Sequence, residues 1–167
     1  MQLFIRNIDG SQPVQLTFNK DRSWMPSICP DGQKIAYVMS KNTSIEIYLI
    51  HMDGTGNQQI TFGGLNITPV WNPDGKYILY THAINGGKVP RRIYKMNPDG
   101  SNKENLINET GDFSDMVPSI SPDGSQFVFT SDRSGPEQFE IWRADIDGNN
   151  LVRLTHVAYD EDIQANI

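Results

Sequence analysis

Three copies of one short pattern constrain this chain more than anything else in it: Ile28-Cys29-Pro30-Asp31-Gly32-Gln33, Trp71-Asn72-Pro73-Asp74-Gly75-Lys76 and Ile120-Ser121-Pro122-Asp123-Gly124-Ser125. Each is an apolar residue, a small polar residue or Cys, then Pro-Asp-Gly. The chemistry is that of a tight turn. Proline pre-sets its own φ, Asp hydrogen-bonds to nearby backbone, and Gly takes the φ > 0 position that ends the turn. Strand-like sequence flanks every copy, so each reads as a β-hairpin corner.

A second landmark recurs at Asp9-Gly10, Asp53-Gly54, Asp99-Gly100 and Asp147-Gly148, spaced 44, 46 and 48 residues apart. Five residues before each Asp stands an aromatic: Phe4, Tyr48, Tyr94, Trp142. Seven residues after it comes Leu16, Ile60, Leu106 or Leu154, and Thr17, Thr61 and Thr155 follow three of these. A period of about 45 residues lies in the range of propeller blades rather than of helical repeats. The fold class expected is therefore all-β: a β-propeller of four-stranded antiparallel blades, with about four units, three complete and one incomplete.

Strand A of each unit runs into Pro-Asp-Gly, B follows it, C carries the aromatic, and D is short and ends in Leu-Thr or similar. The units expected are 3–18 (C and D alone), 19–62, 63–108, 109–156 and 157–167 (A alone), all within one domain spanning 1–167. The 14 Gly and 10 Pro punctuate too often for a long helix. Strand B of the last unit is missing, and a propeller normally removes its sheet edges by closing the ring. Two expectations follow: the chain is part of a larger ring, or it self-associates through the incomplete terminal blade.

Charge narrows the partners. With 14 Lys+Arg against 20 Asp+Glu the net charge is −6, which disfavours nucleic acid as the main partner. No apolar run approaches the ~20 residues of a membrane span, and no signal peptide is visible at the N-terminus. Cys29 stands alone beside Pro30, as a small core residue would.

The pattern Pro-x-Trp/Ile-x-Pro-Asp-Gly, then Ile-Ala-Tyr or its like, then Glu-Ile-Tyr/Trp, then Asp-Gly and a distal Leu-Thr, resembles the TolB-type, WD-like β-propeller repeat. Ser131-Asp132-Arg133-Ser134-Gly135 is similar to the B–C loop of that family. The resemblance covers essentially the whole chain. It breaks at Asn85–Pro90, where a different B–C loop stands, and at Leu106-Ile107-Asn108, where Leu-Thr is expected. It implies a binding or scaffold module for protein partners, periplasmic or extracellular, without catalytic residues of its own. The alternative is the propeller portion of an enzyme, similar either to the gate of prolyl-oligopeptidase-like peptidases or to oligogalacturonate lyases.

Motifs for chemistry are weak. Asp145-Ile146-Asp147-Gly148 places Gly at the fourth position of a calcium loop where the sixth is needed, so it reads as a C–D turn. His51, His82 and His156 lack metal-ligand spacing. No nucleophile elbow or phosphate-cradling glycine loop appears. Neither a catalytic set, a metal site nor a cofactor is expected.

Contact residues are sought where the repeat breaks or turns polar. Ser23, Asn66, Asp115 and Asp162 each stand three residues before the strand-A Pro or its equivalent. Strand A lines the channel of a propeller, so these positions would form a polar ring at its mouth, joined by Asp112, Asp160 and Glu161. Such residues also hydrogen-bond backbone and shape loops, and the sequence leaves both roles open. The aromatics Phe4, Tyr48, Tyr94 and Trp142 are expected in the core, because their offset never varies. Arg22, Trp24, Lys88, Arg91, Phe113 and Tyr159, in loops that vary, are the expected partner contacts.

Overall fold

The computed structural model describes residues 1–83, 90–135 and 138–156. These residues form strands and turns without a helix. β1 (Phe4–Ile5) pairs antiparallel with β2 (Val14–Gln15). Next come β3 (Arg22–Ile28), β4 (Lys34–Lys41), β5 (Ser44–His51) and β6 (Gln58–Gln59), an antiparallel meander. The pattern repeats in β7 (Leu65–Trp71), β8 (Ile78–Ala83), β9 (Arg92–Met96) and β10 (Glu104–Asn105). It repeats again in β11 (Asp115–Ile120), β12 (Gln126–Ser131), β13 (Glu140–Asp145) and β14 (Val152–Arg153). One parallel pair, Ile45 opposite Leu65, joins the second and third meanders into a single eight-stranded sheet. The architecture is all-β, of propeller blades; no closed ring forms among the described residues.

The turns behave as their residues dictate. The Oδ1 of Asp31, Asp74 and Asp123 accepts from the backbone N–H two residues on, at 2.9, 2.9 and 3.1 Å. Asp9, Asp53, Asp99 and Asp147 do the same in the C–D turns. The repeated Thr has a specific task. Its hydroxyl accepts the N–H of the strand-C residue before the aromatic: Leu3 to Thr17 (2.9 Å), Ile47 to Thr61 (2.8 Å) and Ile141 to Thr155 (2.9 Å).

Apolar layers fill the spaces between successive sheets. Leu3 and Leu16 pack with Tyr37, Tyr48 and Ile50. Ile47 and Ile60 pack with Trp71, Ile78 and Tyr80, with Tyr94 alongside. Ile93 and Leu106 pack with Phe127 and Phe129, with Trp142 alongside. Both faces of β4 and β8 are thereby covered, which accounts for runs such as Ile78-Leu79-Tyr80. Cys29 is buried in the second layer, and burial raises the pKa of its thiol. One expectation is corrected: Phe4 is 58% exposed rather than core, because no sheet among the described residues packs on that face of β1.

The innermost strands carry a shared irregularity. Met25, Thr68 and Val117 have φ of 51°, 52° and 56°, and each sits at a bulge where the A–B register shifts. Each immediately precedes a proline, which disfavours helical φ/ψ and favours extended backbone. A left-handed β-branched residue costs of order 1–3 kcal/mol. At Thr68 the hydroxyl offsets part of this by bonding Thr81 Oγ1 at 2.7 Å and Ile67 O at 2.8 Å.

Candidate partner-binding rim

In these meanders the A–B and C–D turns fall at one end. The B–C and D–A loops fall at the other, and this is where the copies differ. The first residue group that organises the irregular end lies two positions before each strand-C aromatic: Gln2, Glu46, Arg92 and Glu140. Each holds nearby loop or strand-D groups. Gln2 donates to the carbonyls of Asn19 and Asp21, both at 2.9 Å. Buried Glu46 accepts from Thr61 Oγ1 (2.7 Å), the Gly63 N–H (2.8 Å) and Asn66 Nδ2 (2.7 Å). Arg92 donates to the carbonyls of Arg91, Gly111 and Phe113. Glu140 is paired with Arg153. The sequence signal was available, a polar residue at a fixed offset in every copy, but apart from the adjacent Arg91 carbonyl its partners lie 13–21 residues away.

Ser23, Asn66 and Asp115 occupy equivalent places at the starts of β3, β7 and β11, and all three are buried. Their polar atoms turn into the fold. The Ser23 N–H donates to Met1 O at 3.0 Å. Asn66 bridges Glu46 and His82, with its Oδ1 2.8 Å from His82 Nδ1. Burial lowers the pKa of His82, against the opposing pull of Glu46. Asp115 accepts Arg133 Nη2 on both oxygens, at 2.8 and 2.9 Å. The Asn66 and Asp115 side chains anchor the mouth of the inner strands from behind, whereas the buried Ser23 hydroxyl has no hydrogen-bond partner among the described residues. Asp112 is exposed. Asp162, Asp160, Glu161, Lys88 and Tyr159 lie outside the described residues.

Arg133 belongs to the Ser131–Gly135 loop and occupies a cage that the sequence did not announce. Its guanidinium also meets Glu109 at 2.7 Å. It lies 4.7 Å from the ring centre of Phe113, 5.0 Å from Trp142 and 5.5 Å from Phe129. Arg92 also lies over the Phe113 ring, 4.6 Å from its centre. The loop bearing Phe113 is thus fixed by two arginines.

Arg22 and Arg91 are placed differently. Arg22 is exposed and lies 5.7 Å over the Trp24 ring. The Arg91 Nη1 donates to Met116 Sδ at 3.3 Å. Among the described residues neither guanidinium has a carboxylate partner. Trp24 and Met116 are equivalent residues of β3 and β11, each just before a left-handed position. Among the described residues, no cluster of three or more His, Cys, Asp and Glu could hold a metal. No described helix is long and apolar enough to cross a membrane.

Comparison with known proteins fits this geometry. The TolB beta propeller domain family matches residues 1–166. A protein TolB homolog of Chlorobium luteolum is 38% identical over 133 residues, covering 80% of this chain and 29% of its own. The dipeptidyl-peptidase 5 of Porphyromonas endodontalis is 25% identical over 148 residues, covering 83% of this chain and 21% of its own. The crystal structure of TolB from Acinetobacter baumannii superposes with a TM-score of 0.75 at 34% identity, covering 93% of this chain and 38% of that one. The chain therefore spans well under half the length of each of these proteins.

Proposed function

Because this chain belongs to the TolB beta propeller domain family, we propose that it is a binding module that scaffolds a protein partner through its irregular rim, in a periplasmic or extracellular setting. Arg22, Trp24, Arg91 and Phe113, with Lys88 and Tyr159, make the contact. Ser23, Asn66, Asp115 and Asp162 are the proposed channel-mouth residues of the same site. The observation that carries this reading is the pair of arginines resting on Trp24 and on the Met116 thioether, with no carboxylate partner among the described residues. Arginine, tryptophan and methionine are enriched at protein interfaces, and tryptophan and arginine are enriched among interaction hot spots. Arg92 and Arg133, by contrast, are consumed inside the fold.

The fold alone does not choose between a binding propeller and one attached to an enzyme, since the same repeats serve both. The binding reading is preferred because the side chains that break the repeat gather at the loop end. The test is retention of periplasmic proteins on the immobilised chain. Trp24→Ala and Arg91→Ala should lose what the wild type retains while melting as it does, and His51→Ala, at the opposite end, should lose nothing. Retention indifferent to both rim variants would overturn the reading.

A further inference from the structure

Charge is divided between the two ends of these sheets. At the end formed by the A–B and C–D turns stand Asp31, Asp74 and Asp123 with Asp53, Asp99 and Asp147, all exposed. Each is fixed there by the N–H two residues on. Among the described residues only Asp74 has a lysine within ion-pair distance, Lys76. The rim end differs. Its carboxylates are mostly taken up inside the fold: Glu46 by three donors, Asp115 and Glu109 by Arg133, Glu140 by Arg153 and Asp132 by the Ser114 N–H.

The rim cations are not taken up in the same way. Lys20, Arg22 and Lys41 are exposed and Arg91 is half-buried, and among the described residues none of the four has a carboxylate within ion-pair distance. The two arginines are also placed alike. Trp24, Ile67 and Met116 hold one position on β3, β7 and β11, each directly before a left-handed residue. Arg22 rests on the first of these side chains and Arg91 on the third. β7 packs against both β3 and β11, so the guanidiniums stand on the two inner strands that flank it. Packed sheets lie about 10 Å apart, which puts the two within roughly 20 Å of each other, the reach of about six extended residues.

We propose that the rim takes an acidic peptide segment, with one carboxylate on Arg22 and another on Arg91; this rests on the rim being the partner-binding surface. Complementary charge selects the occupant. A guanidinium offers paired N–H donors that match a carboxylate, and neither arginine has one within the described fold. Lys20 and Lys41 add positive charge on the same side. The opposite end, with its row of fixed aspartates, repels the same ligand. A chain with a net charge of −6 thereby receives an acidic partner at one end only, and the field orients the approach before contact.

The probes are two labelled, end-blocked peptides, one of six glutamates and one of six glutamines, followed by fluorescence polarisation on the full chain at low ionic strength. The glutamate peptide should bind, the glutamine peptide should not, and added salt should weaken the binding. Arg22→Gln and Arg91→Gln should each weaken it about fivefold, the upper worth of an exposed ion pair. Lys76→Gln, at the turn end, should not weaken it. Each variant is first checked for wild-type melting, and Arg91→Met replaces Arg91→Gln if that check fails. A glutamate peptide that does not bind, or that binds both rim variants as well as the wild type, would overturn the acidic ligand. So would a strand of six thymidines binding more tightly, which would point to nucleic acid. The rim reading fails separately. Retention of a periplasmic protein that Trp24→Ala abolishes, but that neither salt nor Arg22→Gln changes, would keep the rim and overturn only its acidic ligand.

Discussion

Gly148 lies against the carbonyl oxygen of Leu106 so closely that a Cβ on it would stand 1.9 Å away. The contact joins the C–D turn of one sheet to strand D of the sheet before it. Both sides are backbone, so neither can swing aside. Gly75, in a Pro-Asp-Gly turn, has a similar φ of 72°, but its nearest neighbour would be Cys29 Sγ at 3.8 Å. Replacement by Ala therefore separates backbone strain from collision. Gly75→Ala is expected to cost roughly 1 kcal/mol, the left-handed penalty alone. Gly148→Ala should cost roughly 3 kcal/mol, once the forced shift of packed elements is added. Urea unfolding of the two variants measures the difference; equal losses would mean that the sheets slide apart without penalty.

The aromatic series gives a comparison at one repeat position. Tyr48 is buried, and its hydroxyl donates to Gln59 Oε1 at 2.8 Å. Phe4 is mostly exposed. Tyr48→Ala should cost about 3–5 kcal/mol, as for other buried aromatics. Phe4→Ala, measured in dilute protein, should stay within about 0.5 kcal/mol. A large loss at Phe4 would show that its ring is covered in solution even in a single chain.

These cases mark what was legible in the chain. Turns, strands and inter-sheet layers follow from residues whose meaning is local or strictly periodic: Pro-Asp-Gly, the strand-C aromatic, and the Thr of strand D. The left-handed Met25, Thr68 and Val117 were not legible, because each precedes a proline and two carry a β-branched side chain that argues for extended backbone. Only the bulge, a property of the paired strand, explains them. The rim was half legible. Trp24, Arg22 and Arg91 stood out by breaking the repeat. The inward turn of Asn66 and Asp115 depended on Glu46 and Arg133, partners 20 and 18 residues away.

The Asp115–Arg133 pair can be tested as a buried ion pair. Asp115 is fully buried and the Arg133 side chain is 8% exposed. Removing one partner leaves a charge without compensation, so Asp115→Ala should cost about 3–5 kcal/mol. Glu109 retains a contact with the guanidinium, which places the expected loss at the lower end. The double variant Asp115→Ala/Arg133→Met should be more stable than Asp115→Ala alone, because Met keeps the packing on Phe113, Phe129 and Trp142 without a charge to strand. Thermal melts of the three proteins decide it. A double variant weaker than the single would mean that the stacked guanidinium contributes more than its burial costs.

Acid sensitivity should trace to the turns. The hydroxyl of Ser121 donates to Asp123 Oδ1 at 2.6 Å, and the N–H and hydroxyl of Ser125 add further bonds. Together they hold the Asp123 pKa down to about 2, with Ser121 the largest cause. The other Asp-Gly turns shift their carboxyls in the same direction by the same kind of bond, as at Asp53 and Asp99. A carboxyl lowered in the folded state stabilises the fold above its unfolded value of 3.8. That contribution is lost as pH falls from there toward the folded value, because the unfolded chain takes up the proton first. Carboxyl carbon shifts followed by NMR should therefore place Asp123 near the bottom of the Asp range, and Ser121→Ala should move it back toward the ordinary value. The urea midpoint of the wild type should drop as pH is lowered from about 4 to about 2, and Ser121→Ala should flatten the part of that drop due to this turn. An Asp123 that titrates normally in the wild type, or a midpoint indifferent to pH in that window, would detach these hydrogen bonds from the stability of the blades.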